Sequence, residues 1–153
     1  MTVKPIPEGY NTATPYLSIS GAKEAIEFYK LAFGATEVFC MDTPSGEVAH
    51  AEIKIGNSLI MLCDACDENP MPSPDTLGGS TVAMHLYVED VDAMFEQAID
   101  AGALDIKSVE DQFYGDRMGT LKDPFGHIWF VSTHKEDLTP EEIQQRAEAL
   151  YGA

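Results

Sequence analysis

The chain of 153 residues is short of basic side chains, of cysteines and of tryptophan. Its nine Lys and Arg residues are outnumbered by 26 Asp and Glu residues, which gives a formal net charge of −17 at pH 7. A surface with this charge repels nucleic-acid backbones and anionic lipid headgroups. We therefore expect neither nucleic acid nor a membrane among the partners, and part of the acidic excess serves solubility.

Three cysteines, Cys40, Cys63 and Cys66, are too few and odd in number for a disulfide framework. The Cys63-x-x-Cys66 spacing would need a second pair of ligands to hold zinc, and only Cys40 remains. Apolar runs are a few residues long, and the opening MTVKPIPEGY lacks the apolar core of a signal peptide. These absences predict a cytoplasmic protein without a membrane span.

The sequence does contain an order of strand and helix signals that occurs twice. A strand over 14–20 precedes a helix with apolar residues at helical spacing, which Gly34 ends. Three further strands are predicted over 37–43, 48–55 and 59–63. The first half therefore has the order βαβββ.

The second half repeats this order after a segment rich in Pro and Gly, residues 65–80, which is predicted to be a linker. A strand over 81–89, a helix ended by Gly102 and a weaker strand within 103–113 follow. The last two strands form a hairpin within Tyr114–Asp137. Its turn is Asp123-Pro124-Phe125-Gly126. Pro fixes φ at the second position of the turn, and Gly can adopt whatever backbone conformation the last position requires.

The chain ends on a helix predicted over about 140–151. Thr139 is its N-cap, Glu142 completes a capping box, and Leu138 and Ile143 are spaced as a hydrophobic staple. We therefore predict an α+β fold in a single domain of two βαβββ modules, with this short helix added. The modules cover about 13–64 and 81–134, and their sheets line clefts.

Several stretches resemble the vicinal oxygen chelate superfamily, which includes glyoxalases, bleomycin-resistance proteins and extradiol dioxygenases. They are the half-repeat openings YLSISGAKEAIEFYKLAFGA and MHLYVEDVDAMFEQAIDAGA and the turn DPFGHIWF. The phrases HAEIKIGNSLIMLCD and YGDRMGTLKDPFGHIWFVSTHKED are most similar to its PhnB-like branch. The resemblance covers about residues 13–134, and it implies a divalent metal held by the first and last strands of each half.

The family pattern places the usual metal ligands on Thr14, Ala83, Met61 and Phe130 of this chain. Three of these side chains have no donor for a hard metal, and Thr14 would be a poor ligand. The resemblance therefore implies a member that has lost the usual metal site, and we expect no metal and no other cofactor.

Two histidines offer an alternative. His85 lies two residues beyond Ala83, so strand alternation puts both on one face, and His50 and Glu52 share a face for the same reason. A relocated site of His50, Glu52 and His85 would suit a metal-dependent lyase, isomerase or dioxygenase. Strand histidines also serve as simple hydrogen-bond partners, so whether the chain is an enzyme stays open.

The leading interpretation is a homodimeric protein that binds a small organic molecule in its sheet-lined clefts. The predicted ligand-binding residues are aromatic side chains with polar tips, the histidines and one arginine: His50, His85, Tyr87, Tyr114, Arg117 and Trp129. Arg117 is predicted either to orient an anionic ligand group or to pair with one of the many acidic residues.

Overall fold

The computed structural model of the chain describes residues 2–152, which divide into two compact units between Gly79 and Ser80. Each unit contains one four-stranded sheet and a long helix that packs on it. The predicted α+β fold is confirmed, with the element order βαβββ in both units. All helices of this part of the chain fall short of the length and apolar content that a membrane span requires.

The first unit contains five elements of the repeat, in the order strand, helix and three strands. They are β1 (Tyr16–Ile19), α1 (Ala22–Phe33), β2 (Thr36–Asp42), β3 (Val48–Ile55) and β4 (Ser58–Asp64). The sheet order is β1-β4-β3-β2, in which only the β1–β4 pair is parallel. The helix supplies the crossover that brings the chain from β1 to the opposite edge of the sheet.

Helix α1 forms because its apolar residues return to one face at helical spacing. Ala25, Ile26 and Tyr29 are almost fully buried against a sheet face that carries Ile53 and Leu62. The predicted stop at Gly34 is confirmed, since its φ of 68° lies in the left-handed region and its N–H donates to the carbonyl of Lys30.

The second unit repeats the arrangement and adds the terminal helix. Its elements are β5 (Ala83–Tyr87), α3 (Val91–Ala101), β6 (Leu104–Asp111), β7 (Asp116–Lys122), β8 (Ile128–His134) and α4 (Pro140–Tyr151). The sheet order is β5-β8-β7-β6, with a parallel β5–β8 pair.

The core of the second unit lies between α3 and one face of its sheet. Gly119 marks the close approach, because a Cβ added there would lie 2.5 Å from the Phe95 ring of α3. Leu121, Trp129 and Val131 share this side of the sheet and are fully buried. Small and large side chains therefore alternate here as in other close-packed interiors.

Two local predictions have different outcomes. The capping box of α4 is confirmed, since the Thr139 hydroxyl accepts from the Glu142 N–H and the Glu142 carboxylate accepts from the Thr139 N–H. The segment predicted as a plain linker contains one helical turn, α2 (Pro74–Leu77), which Ser73 caps. The prediction missed it because a single turn offers no periodicity, only an N-cap and a Pro at the first position.

Candidate functional site

Strand alternation places a set of polar and aromatic side chains on the face of the first sheet that lies opposite α1. The register puts Met61 between Tyr16 and Glu52, and Phe39 beyond Glu52, so these four form a row across the sheet. His50 lies in the neighbouring row, two residues from Glu52 along β3. We call this side of the first unit the helix-free face, and we use the same name in the second unit.

Hydrogen bonds connect the polar groups of this face. The Tyr16 hydroxyl lies 2.7 Å from His50 Nδ1, and the Tyr10 hydroxyl donates to Glu52 Oε1 over 2.5 Å. His50 Nε2 and Glu52 Oε2 are 3.9 Å apart. The hydrogen bond to Glu52 raises the pKa of Tyr10, and partial burial is the main cause that raises the pKa of Tyr16. Both phenols are therefore neutral near pH 7, and Tyr10 is the donor to Glu52.

The segment after β4 covers one end of the same face. Asn69 Nδ2 donates to Cys63 Sγ over 3.1 Å, and the Ser18 hydroxyl donates to the Met71 carbonyl over 2.7 Å. Burial raises the pKa of the Cys63 thiol, which keeps it protonated and unreactive. Cys63 is thus a packing residue at the border of the face.

The second unit presents a more exposed aromatic set on its own helix-free face. The rings of His85 and Tyr87 stack with centroids 4.8 Å apart and an interplanar angle of 20°, and Phe130 lies 5.9 Å from His85. His85 Nε2 is 2.9 Å from the hydroxyl of Ser132, which is fully buried. Tyr87 is 64% exposed, so most of the residue is open to a bound molecule.

Hydrogen bonds to buried and half-buried side chains fix the residues at the edge of this aromatic set. The Tyr87 hydroxyl donates to Asp116 Oδ2 over 2.8 Å, and this bond raises the pKa of Tyr87. Asp116 Oδ1 lies 2.7 Å from Nδ1 of His134. The Tyr114 hydroxyl lies 3.4 Å from the sulfur of Met118, which pairs with Ser132 across the sheet, so Tyr114 borders the same face.

Two of the predicted ligand-binding residues lie on the other side of the sheet. Trp129 is fully buried on the α3 side, and its Nε1 donates to Asp123 Oδ2 over 2.8 Å. Arg117 also lies on that side, where its guanidinium makes a two-pronged ion pair with Asp92 of α3 and a further bond to Asp111. Trp129 and Arg117, which were predicted to bind the ligand together with His85, therefore lie on the opposite side of the sheet from it. Neighbouring strand residues point to opposite faces, so Phe130 and Asp116 occupy the helix-free face instead.

The predicted site residues thus separate into three groups. His85, Tyr87 and Tyr114 share the helix-free face of the second unit, His50 lies on that of the first, and Arg117 and Trp129 lie beside α3. Sequence reasoning did not assign a role in the face to Tyr10, Tyr16, Ser132, Asp116 and His134. Strand alternation could have identified Tyr16 and Ser132, whereas the long-range partners of Asp116 leave no signal in the local sequence.

The residues at the family's metal positions do not fit a divalent cation. Met61 and Phe130 lie on the helix-free faces, but a thioether and a phenyl ring are not ligands for a hard metal. Of the suggested substitutes, His50 and Glu52 lie together in the first unit, whereas His85 belongs to the second. Within residues 2–152, no three His, Cys, Asp or Glu side chains are grouped so that they could hold a metal ion.

Two known proteins are similar to this chain over most of its length. An uncharacterized protein of Mycobacterium bovis is 40% identical over 135 residues, which covers 86% of this chain and 88% of the relative. A solved Arabidopsis thaliana gene product is 29% identical with a TM-score of 0.65 and covers 80% of this chain and 98% of its own. Neither description names a ligand or a reaction.

A second solved structure, a PhnB protein of Bacillus cereus, shares the fold. It is 17% identical with a TM-score of 0.64 and covers 80% of this chain and 99% of its own. The family model of the Glyoxalase/Bleomycin resistance protein/Dioxygenase superfamily matches residues 14–131, nearly all of both repeats. The chain is therefore a member of the Glyoxalase/Bleomycin resistance protein/Dioxygenase superfamily.

Proposed function

We propose that this protein binds a small organic molecule on its helix-free sheet faces, without the divalent metal of the family. The observation that carries the proposal is the exposed stack of His85 on Tyr87. Exposed aromatic rings can bury apolar surface area against a flat ligand, and the polar atoms at their ends fix its orientation.

The rings are held in place before any ligand binds. Ser132 holds His85 and Asp116 holds Tyr87, and both partners are buried. A ligand therefore meets side chains whose rotamers are already ordered, which lowers the entropic cost of binding. In the first unit, Tyr16 and Tyr10 restrain His50 and Glu52 in the same manner.

The rival function is a metal-dependent lyase, isomerase or dioxygenase that uses His50, Glu52 and His85. It has less support, because one possible ligand atom on each of these residues already has a partner. These partners are the Tyr16 hydroxyl, the Tyr10 hydroxyl and the Ser132 hydroxyl. A metal would have to displace them or use only the remaining atoms.

We expect planar aromatic ligands to raise the melting temperature of the intact protein. In a screen of aromatic acids, amines and amides, the compounds that stabilise it should bind Tyr87→Ala between about twofold and tenfold more weakly, since a stacked aromatic pair is worth roughly 0.5–1.5 kcal/mol. Calorimetric titration measures this change. Leu150→Ala is the control, because Leu150 is an exposed apolar residue of α4.

The same titration separates the two functions. Protein treated with EDTA and dialysed should bind the selected compounds with unchanged affinity. Binding that requires added Zn²⁺, Mn²⁺ or Ni²⁺, and that His85→Ala removes together with the metal, would establish the rival function instead. A protein that no compound stabilises would overturn both.

The proposal includes a homodimer, with a second copy of the chain on the apolar side chains of the outer strands. Val38, Phe39 and Met41 of β2 and Leu104 and Ile106 of β6 are each about half exposed or more. Apolar side chains along sheet edges are usually covered in the native assembly. Sedimentation velocity at micromolar concentration should give the mass of two chains, and a single-chain mass would refute the dimer.

A further inference from the structure

A row of three hydrogen bonds leads away from Tyr87 into a part of the second unit that the proposed binding function does not use. Tyr87 donates to Asp116 Oδ2 over 2.8 Å, His134 Nδ1 lies 2.7 Å from Asp116 Oδ1, and His134 Nε2 lies 2.7 Å from Asp137 Oδ1. Asp116 is only 5% exposed. Four side chains from β5, β7, β8 and the segment after β8 are thereby connected.

The arrangement determines which groups carry protons. Both ring nitrogens of His134 face carboxylate oxygens, and an ionised carboxylate only accepts, so the ring must donate twice and is the imidazolium. The hydrogen bonds to Asp116 and then Asp137 are the main causes that raise the pKa of His134 above its ordinary 6.5.

Other charged groups near this row are already neutralised or lie at its edge. Arg117 pairs with Asp92 and Asp111 on the α3 side of β7. Glu136 pairs with Arg146 of α4, with 2.8 Å between charged atoms. Lys135 follows His134 in the chain, and Tyr114 precedes β7 as a neutral phenol whose pKa burial raises. Asp116 and Asp137 are therefore the two groups that set the protonation of His134.

An ionised Asp116 also decides what Tyr87 offers to a ligand. A phenol has one proton and two acceptor sites. Because the proton points to Asp116, the exposed side of the Tyr87 hydroxyl is left as an acceptor. A bound molecule would be matched to it only by an N–H or O–H group.

We propose that Asp116 and His134 are positioning residues for Tyr87, and that together they select ligands that place a hydrogen-bond donor against the Tyr87 oxygen. This inference rests on the proposed binding function for its ligand class, but the positioning itself is a property of the free protein. It also makes the face sensitive to pH, since loss of one His134 proton removes the positive charge beside Asp116 and leaves the ring a single N–H for two carboxylates.

The positioning is tested by NMR of the full chain without ligand. The Tyr87 ring carbon next to the hydroxyl should shift with the same midpoint as the His134 ring, at a pH above 6.5. Asp137→Asn should lower that midpoint for both residues, whereas Asp100→Asn, an exposed aspartate of α3, should leave it unchanged. A Tyr87 signal that does not follow His134 would overturn the inference.

The ligand class is tested with two bicyclic probes of nearly equal shape, indole and benzofuran, of which only the first has an N–H. Indole should bind about fivefold more tightly, the factor that one neutral hydrogen bond is typically worth. Tyr87→Phe should abolish the difference. Equal affinities in the native protein would refute the donor selection. If neither probe shifts the His85 and Tyr87 signals, the binding function fails, while the titration still decides the positioning.

The raised pKa of His134 also predicts how stability depends on pH. The imidazolium is held by the folded state, so its contribution is fully present below the unfolded pKa of about 6.5 and is lost as the pH rises through the higher folded value. The melting temperature of the native protein should therefore fall over this window more than that of His134→Gln.

Discussion

Asp123→Ala is expected to lower the free energy of unfolding by about 3–5 kcal/mol, since each buried donor left without a partner costs roughly 1–3 kcal/mol. Asp123 Oδ1 accepts from the N–H groups of Phe125 and His127, both over 2.9 Å, and Oδ2 accepts from Trp129 Nε1. The carboxylate is 4% exposed. One side chain thus closes the hairpin turn and satisfies the only indole N–H of the chain.

Urea denaturation followed by tryptophan fluorescence measures this loss in the second unit, because Trp129 is the only tryptophan. Asp123→Asn, which keeps one accepting oxygen, should lose less than the alanine variant. Asp100→Ala, at an exposed position, should change stability by less than about 0.5 kcal/mol. A loss below 1 kcal/mol in Asp123→Ala would show that water replaces the carboxylate, contrary to its burial.

The second large effect is expected at Asp64, the last residue of β4. Its Oδ1 accepts from the N–H groups of Gly21 (3.1 Å) and Ala22 (2.9 Å), and its Oδ2 accepts from the N–H of Val48 (2.7 Å). Gly21 is the N-cap of α1 and has no side chain to cap the helix itself. Asp64 therefore caps α1 from a distance and also holds the start of β3.

We expect Asp64→Ala to destabilise the first unit by about 3 kcal/mol, the sum of a lost helix cap and unpaired backbone donors. Thermal unfolding followed by circular dichroism measures it. Asp67→Ala is the control, because Asp67 lies three residues further on and is exposed. Equal stability of the two variants would contradict the capping role.

In the second unit, a different residue caps the start of the long helix. Thr133, at the corresponding place in β8, accepts from the N–H of Val91 over 2.9 Å and donates to the carbonyl of Val88 over 2.8 Å. The cap of α3 also includes Asp90, whose side chain accepts from Ala93 N–H. A hydroxyl suffices here because Asp90 supplies the carboxylate that Gly21 cannot.

Much of the fold was predictable because its signals are local. The helical spacing of Ala25, Ile26 and Tyr29, the glycines that end α1 and α3 and the capping box of α4 all act within a few residues. The strand over 48–55 was predicted with both of its ends. Such patterns depend on the period of the backbone and on hydrogen bonds between near neighbours, so they can be read from the chain itself.

The candidate site was only partly predictable. The alternation from Ala83 identified His85 and Tyr87 as residues of one face, and the structure places both on the helix-free side of the sheet. Trp129 was assigned to the wrong side because a shift of one residue in a strand moves a side chain to the opposite face. In a run of consecutive aromatic and apolar residues, the sequence does not show which of them face the helix. Of the two roles predicted for Arg117, the structure shows the ion pair with acidic residues, which are Asp92 and Asp111.

The hairpin around Asp123 shows which features the sequence alone can predict and which it cannot. By itself, the sequence determined that a turn stands between two strands, that the chain repeats βαβββ, and that Met61 and Phe130 cannot bind a hard metal. Only the tertiary structure decided that Asp123 receives the Trp129 indole and that His134, Asp116 and Tyr87 are connected. The reason is that Tyr87 and Asp116 lie 29 residues apart in sequence. Strand register rather than local pattern brings such pairs together.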